Sequence, residues 1–441
     1  MSKFIIRGGK PLSGVVKVSG SKNAALPLLA ATLLTSKECI LRNIPDVADV
    51  RLMLEILEKI GAKYSFEKNV VKIQTVKIKS TRIEPELAEK MRASILLLGP
   101  LLARANKAEI AFPGGCVIGK RSVHAHAYAL EKLGAKDKST ANILKFVTKG
   151  IKAKAFNLPE LSVTATENAL MCAALTPGET KVRMAAYEPH VQDLCEFLKK
   201  LGVKITGVGT HTVKIAGKKN LSGATHTVTS DYLEVGTFAI ATLLTRGKVR
   251  IENVVPKQLD SFFQKLEEVE ANFFVGPNFL EILPSEKFQP TEIKTAVFPG
   301  FPTDLQAPFG VLLTQAKGKS RIFETLFEGR MNYLFELEKM GARIEVFNPH
   351  QAVVFGDGRL KPASVASCDL RAGAAMVLAA LNARGVSEVS NIEYIDRGYE
   401  NFEEKLRGLG ADIERVAGFF DSFRFTKQNN SSIIESYFLI N

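Results

Sequence analysis

Cys116 lies in Phe112-Pro113-Gly114-Gly115-Cys116-Val117-Ile118-Gly119-Lys120-Arg121, a glycine-rich loop with two cations after the thiol. Lys120 and Arg121 would favour a thiolate, and the glycines open backbone conformations that other residues avoid. A mobile loop that carries a nucleophile or proton donor is a common way to close an active site. A buried structural cysteine in a tight turn would use the same residues, and spacing alone does not separate the two readings. A second set of side chains could handle anions. Lys22 precedes an apolar segment, so its ammonium would sit near a helix N-terminus with Asn23 beside it; a solvated loop lysine is the alternative. Arg121, Arg371 and Arg397 carry guanidinium groups suited to bidentate contact with phosphate or carboxylate. Each could instead form a structural salt bridge, Arg397 with Asp396 or Glu400. Asp304 follows Pro299-Gly300-Phe301-Pro302-Thr303, and could act as a base or cap the helix that begins there.

The elements that must position these residues repeat. A helix end followed by a strand recurs at Gly61-Ala62, Gly134-Ala135, Gly202-Val203, Glu270-Ala271, Gly341-Ala342 and Gly410-Ala411, in steps of 68 to 73 residues. That period is too long for a solenoid and suits a small α/β subdomain, so six units in two domains of three are expected. Strand-like alternation follows most helix ends, as in Lys204-Ile205-Thr206 with Thr212-Val213-Lys214-Ile215. Further helices, expected over 24–34, 165–175 and 370–383, are rich in Ala and Leu with almost no charge and should be buried. A helix over 123–133 should follow the cysteine loop. The fourth unit has Glu270 where the others have Gly, so its helix end is expected to turn differently.

A chain of 441 residues exceeds what one hydrophobic core usually serves. With 46% hydrophobic and 24% charged residues it has the composition of an ordinary soluble globular protein. The first residues reach a charge before an apolar core can form, and the run 24–34 is short and broken by Pro27, so neither a signal peptide nor a membrane span is expected. Cys39, Cys116, Cys172, Cys195 and Cys368 are odd in number and scattered, which points to a reducing cytoplasm without disulfides or a zinc site. His124 and His126 are two apart and would face different sides of a helix, so no metal is expected. The formal charge of +13 is spread along the chain, which argues against nucleic acid and fits a small anionic substrate or a solvated basic surface.

The loop Pro113-Gly114-Gly115-Cys116, with Ile118, Gly119, Arg121 and the following Leu130-Glu131-Lys132-Leu133-Gly134-Ala135, resembles the catalytic loop of the UDP-N-acetylglucosamine enolpyruvyl transferase family. Four further strings resemble its motifs in the right order: 19–27 around Lys22, Met91-Arg92-Ala93-Ser94, Phe301-Pro302-Thr303-Asp304-Leu305-Gln306 and Ile395-Asp396-Arg397-Gly398-Tyr399-Glu400. The resemblance implies an inverted α/β barrel fold, helices inside and sheets outside, with three βαβαββ-like units in each of two domains. It implies domains at 22–229 and at 1–21 with 230–416, the chain crossing near Ser21 and returning near Ser230. Residues 417–441 are a C-terminal extension beyond the family's usual end.

The activity so implied moves the enolpyruvyl group of phosphoenolpyruvate to the 3-hydroxyl of UDP-N-acetylglucosamine, releases phosphate and uses no cofactor. By the same resemblance Cys116 donates the proton, Asp304 is base or orienting group at the sugar hydroxyl, and Lys22, Arg121, Arg371 and Arg397 hold phosphate and carboxylate. Asn23, Arg92, Ser122, Val123, Ser162, Val163 and Leu326 match the contacts to the nucleotide sugar. Glu160 and Thr164 depart from the pattern, standing where a basic residue and a glycine are common, which bears on nucleotide affinity. The rival readings are the shikimate-pathway enolpyruvyl transferase, which lacks this cysteine loop, and a non-catalytic paralogue or basic binding protein. Oligomeric state is not legible.

Overall fold

The computed structural model describes residues 2–114, 118–119, 121–356 and 358–417. Cys116, Lys120 and the extension from 418 onward lie outside those residues.

One repeat, 82–147, shows how each unit folds. Strand Arg82–Ile83 is followed by helices Pro85–Ala88 and Leu98–Ala105, strand Lys107–Ala111, helix His124–Lys132, and strands Lys136–Asp137 and Ile143–Val147. The first two strands are parallel and therefore need the intervening helical crossover, while the last two close as an antiparallel hairpin. Alternation in the sequence sets the register: Leu144 and Phe146 turn inward and their neighbours do not. At the helix end, Gly134 takes φ +99°, its N–H donates to Glu131 O at 2.9 Å, and Ala135 N–H donates to Leu130 O at 3.0 Å. Such a left-handed stop satisfies carbonyls that the helix would otherwise leave open.

Glu270 corrects the expectation for the fourth unit. It adopts φ +58°, donates to Glu267 O at 2.9 Å, and Ala271 donates to Leu266 O at 2.9 Å, the same turn its glycine counterparts make. The turn's hydrogen bonds outweigh a left-handed penalty of roughly 1–2 kcal/mol for a residue with a Cβ.

Six four-stranded sheets result among the described residues. Three are built from contiguous chain and three borrow a distant strand. Lys3–Gly8 lies between Gly385–Ser390 and Asp412–Val416, Ser13–Lys17 joins Lys248–Glu252, and Thr225–Thr227 joins Cys39–Arg42. The two connecting passages meet as a small ladder: Gly20 bridges Ser230, Ser21 N–H donates to Thr229 O at 2.8 Å, and Asp231 N–H donates to Ser19 O at 2.9 Å. Gly20 is required there, because a Cβ would stand 1.8 Å from the Asn43 carbonyl oxygen.

Two hydrophobic cores form, one from residues within 24–228 and the other from 4–18 with 232–413. Their centres are the uncharged helices of the sequence, observed as Lys22–Ala31, Val163–Ala174 and Leu370–Asn382, together with Tyr232–Leu244 and Thr303–Leu313. Helices are thus enclosed by sheets. Among the described residues no helix is long and apolar enough to cross a membrane.

Candidate active site

The inner helices present their N-terminal ends to one cleft of about 590 Å³. Lys22 and Asn23 open one helix, Ser162 caps the next, and Asp304 sits in the first turn of Thr303–Leu313. Asp231 and Asp369 each accept two N–H groups at the starts of Tyr232–Leu244 and Leu370–Asn382. Ser and Asp are favoured at such positions because their oxygens satisfy free N–H groups. Several partial positive dipole ends aimed at one space favour an anionic ligand before any side-chain charge is counted.

On the wall from the second core, Asp304 Oδ1 accepts from Arg330 Nη2 at 2.7 Å, and Asp304 Oδ2 lies 3.5 Å from Arg371 Nε. Arg330 also approaches Asp369 at 3.5 Å. The helix that Asp304 enters carries no side-chain cap, so Asp304 does not cap it, and its carboxylate lines the cleft. Burial would raise its pKa, but Arg371, Arg330 and Lys22 hold it down to about 2. Arg371 is buried; burial works against its charge, while Tyr399, Asp304 and Asp231 raise its pKa beyond the ordinary value. Arg330 Nε and Arg371 Nη1 find no hydrogen-bond partner among the described residues.

Where the cores meet, Asp49 accepts from Lys22 Nζ at 3.0 Å and from Arg397 Nε at 2.9 Å. Arg397 thus reaches a carboxylate far along the chain, beyond the neighbouring Asp396 and Glu400. Asp396 binds Arg415, and Glu400 accepts from Asp46 N–H at 2.9 Å and Asn69 Nδ2 at 2.6 Å.

At the other end, Arg92 donates to the carbonyls of Arg121 and Ser122 at 2.9 and 3.1 Å, fixing the backbone just after the cysteine loop. Burial and the nearby Arg121 lower its pKa to about 10. Arg121, Ser122, Ser162, Val163, Leu326, Glu160 and Thr164 line the cleft with it. Val123 does not; it precedes His124–Lys132 and packs on the first core. Thr164 Oγ1 lies 3.0 Å from His126 Nε2, a buried imidazole whose pKa burial and Arg92 push down to about 3.

Three residues of the first core were not singled out in the sequence. Glu167, Glu188 and His190 line the cleft, and Glu167 Oε1, Glu188 Oε2 and His190 Nδ1 have no hydrogen-bond partner among the described residues. Burial, with Glu188 nearby, raises the Glu167 carboxyl well above its usual range; burial also raises Glu188. It lowers His190 to about 4, against the pull of Asp304 and Asp193. One signal was available: Glu167 is a lone acid in an otherwise uncharged helix. Asp49 and Arg330 offered none, since their partners are distant in the chain.

Burial also raises the thiols of Cys39 and Cys368 to about 11 and those of Cys172 and Cys195 to about 12, so none of the four is poised as a thiolate. Cys116, the proposed donor, lies outside the described residues; Ile118 and Arg121, which flank it, line the cleft. Among the described residues no group of three or more His, Cys, Asp or Glu could hold a metal ion.

Six sheets around inward helices, with cations and a carboxylate at the helix starts, make a two-core α/β architecture with a cleft suited to an anion. A family model for EPSP synthase (3-phosphoshikimate 1-carboxyvinyltransferase) matches residues 6–406. The chain is 45% identical over 419 residues to UDP-N-acetylglucosamine 1-carboxyvinyltransferase 2 of Carboxydothermus hydrogenoformans, covering 95% of this chain and 100% of that one. It is also 45% identical to the UDP-N-acetylglucosamine 1-carboxyvinyltransferase of Wolinella succinogenes, covering 94% and 99%. The crystal structure of the enolpyruvyl transferase NikO from Streptomyces tendae superposes with a TM-score of 0.86 at 24% identity, covering 95% of this chain and 99% of that one. EPSP synthase from Acinetobacter baumannii gives 0.72 at 18%, covering 95% and 100%. The chain belongs to the EPSP synthase family and, within it, to the UDP-N-acetylglucosamine 1-carboxyvinyltransferases.

Proposed function

We propose that this protein transfers the enolpyruvyl group of phosphoenolpyruvate to the 3-hydroxyl of UDP-N-acetylglucosamine with release of phosphate. The observation that carries this reading is the convergence of Lys22, Arg121, Arg397 and Asp304 on one cleft from both cores. The transfer needs a bond from the sugar oxygen to the enol carbon, a proton on the adjacent vinyl carbon, and loss of phosphate with a proton to restore the double bond. Lys22, Arg121, Arg371 and Arg397 are suited to the phosphate and carboxylate, where bidentate guanidinium contacts fix both position and charge. Asp304, held at about 2, is a weak base; its part is to orient the hydroxyl and accept its proton as the carbon–oxygen bond forms. Cys116 is assigned the proton donor's role. Asn23, Arg92, Ser122, Ser162, Val163 and Leu326 are assigned to the nucleotide sugar, and Val123 acts by supporting that loop.

The domains of this reading are 22–229 and 1–21 with 230–416, supported by the two separate cores. The product would serve peptidoglycan precursor synthesis in the cytoplasm, and hence cell-wall growth and division. Phosphate release from phosphoenolpyruvate, measured with UDP-N-acetylglucosamine and in parallel with shikimate 3-phosphate, tests the assignment. Turnover with the nucleotide sugar alone is expected; turnover with shikimate 3-phosphate alone overturns it. Cys116→Ala should lose that turnover, and Cys116→Asp should keep part of it.

A further inference from the structure

Asp49 opens the helix Ala48–Ile60 and is 4% exposed. Its two oxygens serve two different cations: Oδ2 accepts from Lys22 Nζ at 3.0 Å and Oδ1 from Arg397 Nε at 2.9 Å. Asp49 and Lys22 belong to the chain of the first core, whereas Arg397 follows the short helix Glu393–Asp396 of the second. All three line the cleft. Both side chains it holds are those assigned above to the anionic co-substrate.

We propose that Asp49 is a positioning residue for the phosphoenolpyruvate site: one carboxylate holds an ammonium from one core and a guanidinium from the other at a common point, so that the anion site is assembled as the cores come together. The inference rests on the function proposed above. Two cations brought to one anion repel each other, and a buried carboxylate between them offsets that repulsion while setting their directions. The N-terminus of Ala48–Ile60, in whose first turn Asp49 stands, favours the ionised form. Burial would push the Asp49 carboxyl up, but Lys22 and Arg397 outweigh it and keep the pKa below its ordinary value. The negative charge is therefore permanent across the neutral range.

Charge alone and positioning predict opposite signs. A bystander carboxylate near an anion site weakens anion binding, so removing its charge would tighten phosphoenolpyruvate. A positioning carboxylate does the reverse. Asp49→Asn should raise the KM for phosphoenolpyruvate by about tenfold or more while leaving the Kd for UDP-N-acetylglucosamine, measured by calorimetry, within about twofold. Asp49→Glu keeps the charge and should recover part of the loss. In a double-mutant cycle with Arg397→Lys, the second substitution should cost much less in the Asp49→Asn background than in the wild type. An unchanged or lower KM for phosphoenolpyruvate, additive losses, or parallel loss of both substrates, as unfolding gives, overturns the inference. A wild-type protein that releases no phosphate with the nucleotide sugar sinks the proposed function instead, so the two failures are distinct.

Discussion

On the second-core wall of the cleft, Asp304 meets Arg330 at 2.7 Å and Arg371 at 3.5 Å and stays ionised to about pH 2. Across the space, Glu167 and Glu188 are buried with no Lys or Arg ion pair among the described residues and shift upward, and His190 shifts downward. Burial acts in the same direction on all the carboxyls; what differs is whether a guanidinium stands within contact distance. Asp304 therefore keeps its charge, whereas Glu167, Glu188 and His190 are driven toward their neutral forms. For an anionic ligand the consequence is useful: cations reach it from both cores, and the raised Glu167 and Glu188 add little repulsion.

The largest effect that would break this contrast is at Asp304. Asp304→Asn keeps the shape, removes the only ionised acceptor assigned to the sugar hydroxyl, and should lower kcat by about 10³-fold in the phosphate-release assay. Retention of full kcat would leave the charged wall without a chemical role. Arg330→Gln comes next. It removes a group that lowers the Asp304 pKa, so the acid limb of the kcat profile should move to higher pH while kcat falls by about 10- to 100-fold. A limb that stays in place would mean Arg371 and Lys22 set the carboxylate without Arg330.

Glu167→Gln sharpens the comparison from the other wall. A carboxyl whose folded pKa is raised stabilises the fold below its unfolded value and loses that contribution as pH rises through the folded one. The glutamine variant lacks this loss, so its Tm should exceed the wild type's by about 2 °C at pH 8 and match it near pH 4. Asp304 and Asp49 have the opposite sign: their contribution is complete above the ordinary carboxylate range and fades as pH falls toward their lowered values. The smallest effect concerns the repeats. Glu270→Gly should stabilise the chain by up to about 1 kcal/mol in urea unfolding, because glycine takes φ +58° without strain; a destabilised variant would mean the Glu270 side chain contributes more than its backbone costs.

Much of the scaffold was legible. The six helix ends and the buried helices follow from local periodicity and uncharged segments, whereas most cleft residues were named through the family resemblance. Glu270 misled because a backbone can enforce at one position what glycine permits at the others. Capping made Asp304 ambiguous, and only the folded chain shows that it caps no helix and pairs with Arg330. For Arg397 the sequence offered a local salt bridge with Asp396 or Glu400 as the structural alternative, and it bonds to a residue 348 positions away.

The amino-acid sequence by itself determined the repeat, the inner helices and the cations at their starts, because periodicity, capping and charge are properties of neighbouring residues. The tertiary structure decided which strands were exchanged between distant segments, that one aspartate should hold two cations, and that Glu167, Glu188 and His190 should lose their usual charge behaviour. Those outcomes depend on solvent exclusion and on partners brought together from both cores, and neither is encoded in the spacing of residues along the chain.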